Sequence, residues 1–436
     1  MTARKDLRAI VLAAIDAVEP ARLVSAALAA EAGRDARVRI VSAGKAAAAM
    51  ARGATQALGH RIGGGLIVGP DTGREIPLFE RIAGGHPLPT AASERAGSRA
   101  LAIASEVRPG ERFLCLLSGG ASALMAAPAP GISLADKVET TNLLLRAGAD
   151  ITALNAVRKH LSEIKGGGLA RRSPSGCHTL AISDVVGDGL AVIGSGPGVP
   201  DPSRFSDAID ALQAFGGLDA YPRAVVARLQ AGARGEIAET LKPSDAQAAH
   251  ATASVIGGRA DAMTGACDAA RRLGYQAVRI DRPVVGEARG AAVEHLRELA
   301  RRAGNAADRL CFVSSGETTV RVHGAGSGGR NQEFALAAVR VLALIGPDVA
   351  LASAGTDGID GPTAAAGAFV DGETLARAAG LGLDPDTYLR NNDSHTFFAA
   401  LGDLVVTGPT GTNVGDIQVV LFNRASANRS RGGANA

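Results

Sequence analysis

The first residue in a position to do chemistry is Lys45, which sits in SAGKAAAAMA (42–51) between a short apolar run and an Ala-rich helical stretch. A helix N-terminus carries partial positive charge, so a cation there is unfavourable unless an anion lies between it and the backbone amides. The plain alternative is a solvated lysine in a tight turn. The segment is not a P-loop, because Arg39 stands where the first glycine belongs and Ala46 replaces Ser/Thr. A second apolar run opens into LLSGGASALMAAP (116–128). There Gly119 and Gly120 let amides approach an oxyanion, and Ser118 and Ser122 add hydroxyl donors; a bare strand–helix turn is the competing reading. In LNAVRKHLSEIKGGGLA (154–170), Leu154, Val157, Leu161 and Ile164 form an apolar stripe opposite Asn155, Arg158, Lys159 and Ser162. This basic-plus-amide face ending in KGGG suits a carboxylate or phosphate, although a solvated amphipathic helix has the same pattern. His160 and His86 (in GGHPLPT, 84–90) read as structural.

Acidic residues follow other apolar runs. Asp184 and Asp188 lie in SDVVGDGLAVIGSGP (183–197), and Asp357 and Asp360 in AGTDGIDGP (354–362). Carboxylates at the carboxyl edge of a sheet suit Mg²⁺ held largely through waters, while no EF-hand spacing supports calcium. Turn-forming aspartates explain both pairs equally well. In SSGETTVRVHGAGSGGRNQE (314–333), Glu317 is followed by Arg330 and Asn331 at a helix start, a pairing made for a phosphoryl group. Gly324, Gly326 and Gly329 formally spell GxGxxG there. Three features weigh against a dinucleotide site. The preceding run alternates instead of being uniformly apolar, Asp348 falls before the next strand, and Arg330 occupies the turn where bare amides are needed.

These turns need a scaffold. Strands are predicted at 37–43, 65–69, 112–117, 178–183, 275–280, 310–314, 318–322, 349–353 and 416–422. Helices are predicted at about 5–18, 45–57, 90–107, 134–147, 152–165, 221–231, 258–273, 286–303 and 331–344. Alternation of the two specifies an α/β protein. Continuous apolar strands in the first half indicate a parallel sheet buried on both faces. The alternating TTVRV (318–322) indicates an antiparallel strand and hence a mixed second sheet. The polar, patternless stretch 232–250 marks a linker, which gives domains at 1–240 and 250–425.

Composition agrees. The 436 residues include 56 glycines without a three-residue period, with 46% apolar and 20% charged residues, which excludes collagen and disorder. Forty-six Lys+Arg against 43 Asp+Glu leave a net charge of +3, interspersed and without basic–aromatic clusters, which argues against nucleic acid. Cys115, Cys177, Cys267 and Cys311 lie far apart and read as buried thiols in a reducing compartment. No apolar run is long or unbroken enough for a membrane span or a signal peptide, so a cytoplasmic location is expected. The tail 425–436 is expected to fray, and the Ala-rich helices can bury a homodimer face.

Taken in order, GKAAAAMA, GGHPLP, SGGASAL, NAVRKHLSEIKGGGLA, SDVVGDGLAVIGSGP, SSGETTVRV, GGRNQEFA and GTDGIDGPTAAAGA resemble the type II glycerate kinase family across nearly the whole chain. That family pairs an N-terminal glycerate-kinase domain with a C-terminal MOFRL domain and also carries hydroxypyruvate reductase labels. The resemblance implies a Rossmann-like α/β/α domain with a parallel sheet, a smaller α/β domain with a mixed sheet, and an active-site cleft between them. It implies ATP-dependent phosphorylation of D-glycerate at the 2-hydroxyl with Mg²⁺, and places the family's catalytic lysine and arginine on Lys45 and Arg330. One departure is SSGETT, with Ser315 where the family has glycine. An NAD(P)H-dependent hydroxypyruvate reductase and a non-catalytic sensor are the alternatives.

Overall fold

The computed structural model describes residues 2–29, 35–70, 75–185, 187–304 and 309–423; the predicted frayed tail lies outside them. The described chain forms two compact units, Pro20–Gly257 and a second comprising residues up to Glu19 together with those from Gly258 onward. The boundary falls after residue 257, not at 240–250, because 251–257 is a strand of the first sheet. The first helix also belongs to the second unit. Thr2–Ala17 packs on the helix Arg259–Arg272, where Gly265 removes the side chain that would meet Ala13 and Ala17.

The unit Pro20–Gly257 is built on six parallel strands: β1 (Val38–Ala43), β2 (Ile62–Gly69), β3 (Phe79–Ala83), β4 (Arg112–Leu117), β5 (Cys177–Ile182) and β6 (Ala251–Gly257). Their order is β3-β2-β1-β4-β5-β6. This is the Rossmann-type order of a doubly wound sheet. The central strands β1, β4 and β5 are almost entirely buried, as their continuous apolar runs require. Val41, Leu66, Phe113 and Ile164 belong to the main core; a second cluster around Leu154, Phe205 and Leu229 holds the helices Ile151–His160, Phe205–Ala214 and Arg223–Ala233. The helix Ile151–His160 ends five residues before the predicted limit, and the following glycines turn back into the site.

The other unit carries β7 (Gln276–Glu287), β8 (Leu310–Thr319), β9 (Val349–Gly355), β10 (Gly367–Asp371), β11 (Leu404–Val405) and β12 (Asp416–Phe422) in the order β11-β10-β9-β12-β8-β7. The sheet is mixed, but for a different reason than predicted. Residues 310–319 form one strand, parallel to β7, and the antiparallel partner is β12, which runs against both β8 and β9. The SSG at 314–316 looked like a break between two strands. Instead Gly316 lets β7 pass, since a Cβ there would lie 1.9 Å from the Val284 carbonyl oxygen. Among the described residues, no helix is long and apolar enough to cross a membrane.

Candidate active site

In the doubly wound sheet, β1 and β4 are neighbours whose connections leave toward opposite edges, and ligands bind at this switch point beyond the carboxyl ends. The two loops there are those carrying Lys45 and Ser118–Ser122. They are stitched together by backbone: Lys45 N donates to Gly119 O (2.8 Å), and Ser118 N donates to Ala43 O (3.0 Å). The Ala46 amide donates to Ser118 Oγ (3.0 Å). Ser118 is fully buried, so its hydroxyl braces the turn and does not face a ligand as expected. Gly44 has φ +126°, and a Cβ on it would fall 2.2 Å from Ser118 Oγ, so this junction accepts only glycine.

Ser122, Asn155 and Arg158 do come together. Ser122 Oγ lies 3.3 Å from Ser195 Oγ, which donates to Asn155 Oδ1 (3.0 Å). Asn155 is buried and its Nδ2 has no partner among the described residues. Gly120, Ser122 and Arg158 line a cavity of about 350 Å³, together with His86, Lys137 and Lys165. The Lys165 ammonium donates to Ser122 Oγ and Ser122 O. Lys159, predicted on the same polar face as Arg158, is instead buried in an ion pair with Asp201 (2.9 Å).

Sequence reasoning missed Lys137 and noted Lys165 only as the start of KGGG. A lysine in the first turn of 134–147 looks solvated, and only packing shows otherwise. Burial pushes Lys165 well below the usual lysine range, with the positive Lys137 and Arg158 adding to the effect. Burial, then Arg158 and Arg228, lowers Lys137 to about 7, and Glu94 offsets this in part. An unfolded Lys137 keeps its proton to about pH 10.4. Between these values the unfolded state binds the extra proton, so folding stability rises with pH, and the penalty is fully present below about pH 7. The expected result is that the melting temperature of Lys137→Met exceeds that of the wild type at pH 6–7 by a margin that shrinks toward pH 10.

Asp184 and Asp188 follow β5 on the same sheet edge. Asp188 adopts φ 53°, and its Oδ1 is buried with no hydrogen-bond partner among the described residues. A carboxylate oxygen left without a donor fits a cation. The pair Asp357 and Asp360 does not. Asp360 is buried, with its carboxylate accepting from Asn331 N (3.0 Å), Gln332 N (2.8 Å) and Gln332 Nε2 (3.0 Å), so it caps the helix Arg330–Ile345. Asp357 Oδ1 accepts from Ile359 N (3.1 Å) within its own turn. No group of three or more His, Cys, Asp or Glu able to hold a metal occurs among the described residues.

In the second unit, Arg330 and Asn331 converge on Asp416, at the start of β12. Arg330 Nε lies 2.9 Å from Asp416 Oδ2, Nη1 donates to Glu317 Oε1 (2.7 Å), and Asn331 Nδ2 donates to Asp416 Oδ1 (2.8 Å). Burial raises Asp416 to about 6, against the pull of Arg330 and Asn331. Burial alone would weaken the Arg330 charge, but Asp416 and then Glu317 outweigh it and hold the guanidinium protonated. Asp416 was invisible in the sequence reading, where it was only the first residue of a strand. Ser315, the departure from the family pattern, is buried inside β8 and its carbonyl accepts from Arg259 Nη2 (3.0 Å).

The GxGxxG loop is closed by its own neighbours. His323 N and Gly324 N donate to Asn392 Oδ1, Ala325 N to Asn391 Oδ1 and Ser327 N to Asp393 Oδ1. A Cβ on Gly324 would lie 2.3 Å from Asn391 O, and one on Gly326 2.4 Å from Asp393 Cβ. The glycines therefore serve close packing, and the amides a pyrophosphate would need are taken.

A doubly wound sheet whose switch point holds interlocked small-residue turns beside a cationic cavity defines an α/β enzyme of small anionic molecules. A family model described as a domain of unknown function, DUF4147, matches residues 6–230, and one described as the MOFRL family matches 310–416. The chain is 38% identical to a D-glycerate 2-kinase of Thermotoga maritima over 95% of this chain and 97% of that one. A relative from Agrobacterium vitis bearing a hydroxypyruvate reductase name is 38% identical over 97% of this chain and 95% of its own. The crystal structure of a glycerate kinase from Thermotoga maritima covers 97% of this chain with a TM-score of 0.86 and 37% identity, and 99% of that chain is matched. The chain belongs to the glycerate kinase family, with its DUF4147 and MOFRL domains.

Proposed function

We propose that the protein is a D-glycerate 2-kinase. The acceptor 2-hydroxyl oxygen attacks the γ-phosphorus of ATP, the bond to the ADP oxygen breaks, and the hydroxyl proton leaves. The observation that carries this reading is the 38% identity, over 95% of the chain, to a protein named for that activity. The geometry supports it. Phosphoryl transfer needs positioning and charge neutralisation more than covalent chemistry. In the first unit, the Gly119–Gly120 turn offers backbone beside Lys45, whose ammonium would neutralise phosphate charge. In the second, Arg330 is held protonated and in a fixed direction by Asp416, with Nη1 on the more exposed Glu317. An incoming phosphoryl group would replace Glu317 as its partner, since the Asp416 contact is the buried one. Asn331 keeps Asp416 oriented meanwhile.

Asp184 and Asp188 would hold Mg²⁺, which when bound spreads the charge of the transferring phosphate. Asp357 and Asp360 are not proposed for this, for the capping reason given above. The test is an assay with D-glycerate, ATP and Mg²⁺, following ADP and identifying the product by phosphorus NMR. A parallel reaction holds hydroxypyruvate with NADH or NADPH. Phosphate on the 2-hydroxyl is the expected result. Phosphate on the 3-hydroxyl overturns the regiochemistry, and NAD(P)H consumption without ADP overturns the kinase.

A further inference from the structure

The cavity beside the SGGAS turn has an imbalance that its surroundings do not resolve. Lys137, Arg158 and Lys165 all line it. Lys137 and Lys165 are more than nine-tenths buried, and the Lys137 ammonium has no hydrogen-bond partner among the described residues. Arg158 has no carboxylate partner among them either, and burial lowers its pKa. A buried, unpaired cation is costly, and removing it usually improves stability. Two cations converging on a third around one void are retained at a cost to the fold, as expected of a site whose counter-charge arrives with a ligand.

Resting on the kinase reading, we propose that this cavity is the seat of the acceptor's carboxylate, and that Lys137, with Arg158, is the residue that selects a hydroxy acid over a neutral polyol. The helix Leu134–Arg146 places Lys137 by its first turn, where the Ser133 hydroxyl and the Asp136 carboxylate cap each other's backbone amides. The helix Ile151–His160 places Arg158 in its last turn. Lys165 is already engaged with Ser122, so Lys137 is the cation left to meet the anion. The cavity is too small for a nucleotide and large enough for a three-carbon acid.

The experiment compares wild type with Lys137→Met and Lys137→Arg. Two readouts are taken: KM for D-glycerate and for ATP, and the shift in melting temperature caused by D-glycerate without nucleotide. Lys137→Met is expected to raise KM for D-glycerate by about 10- to 100-fold, the size of one charge-assisted hydrogen bond. KM for ATP should stay within about twofold, on the scale of that single contact. The preference for D-glycerate over glyceramide should narrow to match, and Lys137→Arg should recover part of it. Without ligand the Met variant should melt higher than wild type, which a merely structural lysine would not produce. An unchanged glycerate KM overturns the proposal. So does a raised ATP KM with glycerate unmoved, which would give the cavity to the nucleotide phosphates. A wild type that makes no phosphoglycerate overturns the kinase reading alone. The cavity assignment then stands if D-glycerate raises the melting temperature of wild type but not of Lys137→Met, and falls if it moves both or neither.

Discussion

Lys45→Ala and Arg330→Ala are each expected to lower kcat for glycerate phosphorylation by about 10²–10⁴-fold, the range for removing one preorganised group that stabilises transition-state charge. The two differ in their effect on the fold. Lys45 sits in a turn held by its backbone, through the amides of Lys45 and Ala46, so truncating the side chain leaves that stitching in place. Arg330→Ala instead leaves the buried Asp416 with Asn331 as its remaining donor, so its urea midpoint should fall as well. Arg330→Lys separates the effects: it keeps the charge near Asp416 but loses the forked geometry that reaches Glu317 and Asp416 together. Steady-state kinetics of the three variants, beside their denaturation curves, provide the check. Near-normal turnover in either alanine variant removes that residue from the mechanism.

Asp360→Ala is expected to cost roughly 3–6 kcal/mol of unfolding free energy. It strips the acceptor from two backbone amides and one side-chain amide in a buried setting, at about 1–3 kcal/mol for each donor left unsatisfied. Asp360→Asn should lose less, since one oxygen is kept. The Mg²⁺ dependence of a variant that remains folded should match the wild type. A large rise in the Mg²⁺ requirement with unchanged stability would return Asp360 to the metal and refute its assignment as a cap. Urea denaturation and Mg²⁺ titration of the same preparations decide between the two.

The parts of this protein that depend on local pattern were legible in its sequence. Apolar runs gave β1, β4, β5, β9 and β12 nearly to the residue, because a strand buried on both faces must be continuously apolar. Gly-rich turns after β1 and β4 were legible because closely approaching backbone tolerates no side chain, as Gly44 against Ser118 shows. The family itself was legible from the order of its motifs. Other features required distant segments to meet. Glycine in a loop and glycine under a crossing strand look alike in sequence, so Gly316 was read as a break and Gly324–Gly329 as a ligand loop. Asp357 and Asp360 share one short turn, yet only the helix beginning at Arg330 decides that one caps and the other does not. The unpaired charge of Lys137 could not be read locally at all. A lysine in a capped first turn is solvated unless other elements close over it, and here that closure, by elements as far apart in sequence as His86 and Lys165, turns an ordinary helix residue into a buried cation beside Arg158.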